Sequence, residues 1–289
     1  MKNTVRKRGN PWRTMMPLVM YLILQNVISL AVILAYYVSE GYFSMVGGST
    51  EELMNQVMSS TMKDINILNF WSMVAGYVVL IPVFWHMYRK DLVQDQLQDC
   101  EKTHEKVPPL LYMILIAAGA ASCLAASNMI SMSGLIKASE NYSAAVDTMY
   151  SAGIVPELIG LGILAPMMEE LLFRGLLFRR FKEFCPVIRS MIWASLMFAL
   201  LHGNLVQGIY AFVMGILLCY VYERYGSLKA PVVMHTASNL VAVIASETGI
   251  LDFVYDSTAM FYGLTFVCCV IVVAMIYLIE LYVRPYTEE

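Results

Sequence analysis

Charged side chains are scarce in this sequence. Asp, Glu, Lys and Arg supply 14% of 289 residues, against roughly a quarter in ordinary soluble domains, so the chain cannot coat a water-facing surface of its own size. Cysteine is limited to 6 residues, Cys100, Cys123, Cys185, Cys219, Cys268 and Cys269, with no C-x-x-C spacing, which speaks against a disulfide framework or a thiolate zinc site. No H-E-x-x-H pair, internal repeat or low-complexity linker occurs. The net charge is −3, so nothing points to a nucleic-acid partner.

What the chain has instead is apolar length, with 59% hydrophobic residues. Runs of 18 or more recur along it, each long enough to cross a hydrocarbon core of about 30 Å. The pattern predicts an all-α polytopic membrane protein, a single membrane domain over 1–289. Eight spans are expected, near 15–38, 66–87, 108–134, 152–178, 187–203, 205–222, 230–248 and 260–283. With the N-terminus inside, the loops gather nearly all of the 19 Lys and Arg on the cytoplasmic side. Only Lys63 and Lys137 fall outside and Arg174 within a span, so both termini are expected in the cytoplasm. The first run is too long for a signal-peptide core and is expected to stay as an anchor. Between the first two spans, Ser49-x-x-Glu52 opens a capping-box pattern, and 49–63 reads as a helix, either lying on the outer surface or packed on its neighbours as an ordinary loop helix. The polar stretch Arg89 to Lys106 reads as an extension of the second helix into water.

Ionisable groups inside the spans need an explanation, since each costs about 2.5–3.5 kcal/mol at the bilayer centre. The fourth span holds Glu169, Glu170 and Arg174. Glu170 and Arg174 are four apart and share a helix face, whereas Glu169 is rotated about 100° away. Glu170 therefore reads as the structural partner of the arginine and Glu169 as the free acid, about 15 Å from the cytoplasmic boundary. Of the 4 histidines, His86 and His104 lie in or beside a polar loop. His202 and His235 fall at membrane depth, and Asn239 follows His235 by four residues on the same face. A carboxylate, two imidazoles and an amide can together take a proton from water and stabilise an oxyanion.

At these residues the sequence resembles the intramembrane glutamic endopeptidases, the family that includes the type II CAAX prenyl proteases and bacteriocin-processing or self-immunity relatives in bacteria. Its E-E-x-x-x-R motif matches Glu169 to Arg174, its F-x-x-x-H matches Phe198 to His202, and its H-x-x-x-N matches His235 to Asn239. The three occur in order on separate spans and define a motif-bearing core over 150–245, while the helices of 1–107 carry no matched motif. The resemblance implies a catalytic cavity open to the cytoplasm, with Glu169 as general base assisted by His202, and His235 and Asn239 stabilising the oxyanion. Glu170 and Arg174 would support the helix packing, and Phe198 would pack. It implies no cofactor and no metal, a bacterial cell membrane as location, and a membrane-associated peptide or protein, prenylated or not, as substrate.

Two rival readings stand beside this one. Glu169, His202 and His235 offer a possible three-ligand zinc set for a metalloprotease. A non-enzymatic scaffold, immunity protein or small transporter on the same fold is the other, because a fold alone does not carry a function.

Overall fold

The computed structural model describes residues 10–39, 50–98, 107–136 and 139–283. The expected Ser49 cap, the basic cluster of the first nine residues, Cys100, Lys102, His104, Lys106, Lys137 and Arg284 lie outside that set. The described residues are helical without a strand: α1 Pro11–Ser39, α2 Thr50–Gln98, α3 Pro109–Ser133, α4 Glu140–Met149, α5 Ile154–Phe181, α6 Val187–Leu200, α7 Leu205–Tyr225, α8 Lys229–Thr248, α9 Asp252–Tyr255 and α10 Thr258–Tyr282.

Each of the eight expected spans corresponds to a helix, but not all are simple crossings. Among the described residues five helices are long and apolar enough to cross a membrane: α1, the Asp64–Gln94 part of α2, α3, α7 and α10. A sixth arises if α4 and α5 count as one broken span, bent by 102°. Gly153, with φ 84, makes the bend in a conformation costly for any residue with a Cβ. Glu157 accepts the N–H groups of Ala152 and Gly153 at 3.0 and 2.9 Å, satisfying donors that the helix start leaves open. With 14 residues, α6 reaches only about 21 Å at 1.5 Å per residue. Residues 50–63 are helical but form the first part of α2, not a separate surface helix. That helix continues to Gln98 in the direction expected of the polar stretch.

The segment that carries the buried arginine is also the most enclosed. Every residue of Leu171–Phe178 in α5 is buried, and α1, α2, α6, α7 and α8 pack around that helix. A helix buried on all sides sits in protein, not lipid, which is how Glu170 and Arg174 stand at 0% exposure. Outer helices turn Ile23, Val27, Leu30, Phe266 and Val273 outward, the composition lipid requires. Small residues bring helices close. A Cβ on Gly119 of α3 would stand 2.1 Å from the carbonyl oxygen of Met234 in α8, and one on Gly215 of α7 would stand 2.8 Å from Ser195 Cβ in α6.

Candidate active site

The site begins with an irregularity that Pro166 imposes on α5. Proline has no N–H and crowds the carbonyl four residues back, and the helix widens to π winding over Gly160–Leu164. The Ala165 N–H bonds Gly160 O, and Pro166 can offer none to the carbonyl of Leu161. Asn239 takes that carbonyl with its Nδ2 at 2.9 Å. Such π segments are frequent at functional sites. A second one, Leu171–Phe178, carries Arg174.

Arg174 donates to Glu170 Oε1 at 2.7 Å and to the Gly215 carbonyl at 3.1 Å, with its guanidinium 4.7 Å from the Phe198 ring centroid. Glu170 Oε1 also lies 2.8 Å from His235 Nδ1. Between an arginine-paired carboxylate and an imidazole nitrogen, the nitrogen donates. The other ring nitrogen, Nε2, then faces Glu169 Oε2 at 3.6 Å. His235 thus bridges the two adjacent carboxylates. Glu169 differs from its neighbour in access, its side chain being 23% exposed against 0% for Glu170.

His202 stands in the turn that follows α6, not within a helix. Its Nδ1 lies 2.9 Å from the Phe198 carbonyl. A carbonyl only accepts, so Nδ1 carries the proton and Nε2 is left for other partners. The Phe198 ring meets His202 edge-on at 4.8 Å and His235 at 5.9 Å, packing between the two imidazoles. Asn204 caps α7 by accepting from the Gln207 N–H at 2.9 Å, which holds the turn bearing His202.

Glu169, His202, His235 and Asn239 all line one cavity of about 400 Å³. Glu170 and Arg174 stand behind its wall. Among the described residues no ion pair joins Glu169 to His202, and no three His, Cys, Asp or Glu side chains converge as a metal-holding group. The facing wall comes from helices without a sequence motif. Tyr21 and Gln25 of α1, Ser72 and Tyr77 of α2, and Tyr210 of α7 line it. The signal for them was present as polarity recurring at helical spacing inside apolar runs, Tyr21 with Gln25 and Asn69 with Ser72 and Tyr77.

Residues 151–241 match the family described as Rce1-like, type II CAAX prenyl endopeptidase. The motif-bearing segment is therefore similar to that family. All four cavity residues fall inside it. The chain is also similar to the protein named "Putative membrane peptidase YdiL" from Bacillus subtilis (strain 168), with 25% identity over 111 residues. That alignment covers 38% of this chain and 45% of the relative, under half of its length. No solved structure matches. Together the Rce1-like match and the peptidase similarity support a membrane protease.

Proposed function

We propose that this chain is an intramembrane glutamic endopeptidase that hydrolyses a peptide bond of a membrane-associated substrate. The observation that carries the reading is the convergence of Glu169, His202, His235 and Asn239 on one cavity inside the helix bundle, with Glu169 the more accessible of two adjacent carboxylates.

In the proposed reaction the Glu169 carboxylate takes a proton from a water whose oxygen attacks the substrate carbonyl carbon. The carbonyl π electrons move to oxygen as the new C–O bond forms. His202, its proton held on Nδ1 by the Phe198 carbonyl, turns Nε2 toward the water and accepts from it. Asn239 has a second amide N–H beyond the one given to Leu161, and this is the oxyanion donor. Collapse of the tetrahedral species breaks the C–N bond, and the proton held by Glu169 passes to the leaving amine. When protonated on both ring nitrogens, His235, anchored by Glu170, steadies the Glu169 carboxylate at 3.6 Å and contributes to oxyanion stabilisation. Positioned general bases are worth about 10²–10⁴ in rate.

The test is a comparison of new protein N-termini in membranes of cells carrying the wild type or Glu169→Gln at matched levels. Termini that appear with the wild type and vanish with the variant support the proposal and separate prenylated peptides from membrane-anchored segments as substrates. Identical profiles from two folded proteins would refute it.

A further inference from the structure

We infer that the cavity is entered from the side of the membrane opposite the basic end of the bundle. Resting on the proteolytic reading above, this makes the substrate a segment presented at the outer leaflet, not a cytosolic tail. It departs from the cytoplasmic opening that the family resemblance implied.

The two ends of the bundle differ in charge. One end gathers Arg89 and Lys90 of α2, Arg179 and Arg180 of α5, Lys182, Arg189, Arg224 of α7 and Lys229 of α8. Contacts tie these elements at one level. Asp91 pairs with Arg13 at 2.8 Å and Arg180 at 2.7 Å, Lys182 pairs with Glu223 at 2.5 Å, and Arg224 pairs with Glu280. The other end carries Asp64, Asp147, Glu157, Glu247, Asp252 and Asp256, and Lys63 is its one Lys or Arg among the described residues. The excess of Lys and Arg belongs on the cytoplasmic side.

The cavity reaches toward the acidic end. Its lining includes His202 in the turn after α6, Gln207 in the first turn of α7, and Met149 and Tyr150 at the α4–α5 bend, together with Asn69 of α2. Asn69 is exposed and the other four are partly exposed. Toward the basic end the route is closed. Arg180 lies 11 residues from Glu169, about 16 Å along the helix, and the side chains between are packed. Leu172, Leu176, Leu177 and Phe178 are at most 1% exposed, Tyr88 6%, and the Asp91–Arg180 pair beyond them 6% and 4%. A cytosolic route would have to open that pair and part several turns of filled core, whereas the opposite route displaces neither.

The test uses the full-length chain with its cysteines replaced, carrying Asn69→Cys, Gln207→Cys or Lys182→Cys singly, in bacterial spheroplasts treated with a membrane-impermeant maleimide. Labelling of positions 69 and 207 in intact spheroplasts, and of position 182 only after permeabilisation, is the expected result. Protection of 69 and 207 before permeabilisation, their silence after it, or exposure of 182 in intact spheroplasts would each overturn the inference. Should the cysteine-free chain fail to fold, the native chain with alkaline phosphatase fused at its C-terminus serves. The end of α10 pairs with the basic end through Glu280, so the phosphatase should be inactive, and an active fusion overturns the orientation. Labelling needs no catalysis, so failure of the proteolytic reading would appear separately, as identical N-terminal profiles with the labelling pattern unchanged.

Discussion

Replacing Arg174 with Gln should destabilise the protein far more than removing the charge from both partners of its pair. The guanidinium is fully enclosed and holds Glu170 at 2.7 Å. Its loss leaves a carboxylate at 0% exposure with His235 as its remaining close polar partner. Breaking a buried pair by deleting one member typically costs about 3–5 kcal/mol, and the hydrogen bond to Gly215 O and the stacking on Phe198 are lost as well. At about 2–4 °C per kcal/mol, thermal unfolding in detergent should fall by roughly 6–20 °C. The double variant Glu170→Gln/Arg174→Met removes both charges. Glu170 Oε2 and Arg174 Nε find no hydrogen-bond partner among the described residues, so the native pair is incompletely compensated and the double variant should recover at least about 2 kcal/mol. Activity should not return with stability, because His235 would lose the carboxylate that orients it. A single variant within about 1 kcal/mol of the wild type, or a double variant less stable than the single, would refute the assignment of this pair as a mutually dependent buried unit.

Three further outcomes are expected. Asn239→Leu should keep the fold and lower turnover by about 10²–10³-fold if the amide serves the oxyanion, and a loss below tenfold in a cleavage assay would remove it from that role. Pro166→Ala supplies an N–H that can compete for the Leu161 carbonyl, at a net worth of about 1 kcal/mol. Cleavage should drop roughly fivefold with little change in melting, and an unchanged rate would show that the Asn239 anchor does not depend on the proline. Gly119→Val places a side chain where a Cβ alone would be 2.1 Å from the Met234 carbonyl. It should cost about 1–3 kcal/mol or more and reduce cleavage, because Met234 adjoins His235, and a variant that melts and cleaves like the wild type would contradict that coupling.

Helical arithmetic by itself determined a good deal of this protein. Apolar runs of spanning length dictated an all-helical membrane fold, since in lipid only internally bonded backbone is tolerated. Four-residue spacing paired Glu170 with Arg174, as observed at 2.7 Å, and a 100° offset sent Glu169 to a different surface, which proves to be the cavity. These are local relations, set by the pitch of one helix. Other features depend on which helices touch. The hydrogen bond from His235 to Glu170 crosses 65 residues and required α8 to lie against α5 as closely as Gly162, packed on Leu240, permits. Asn239 found its carbonyl because a proline five residues beyond Leu161 freed it, and only the packing of α8 beside the π segment delivers the amide there. Hydropathy counted α5 and α6 as ordinary spans, yet one is bent sharply from α4 and the other ends short, with His202 in a turn. The facing wall from α1 and α2 had no motif to reveal it, because a cavity is a property of surfaces brought together from distant parts of the chain.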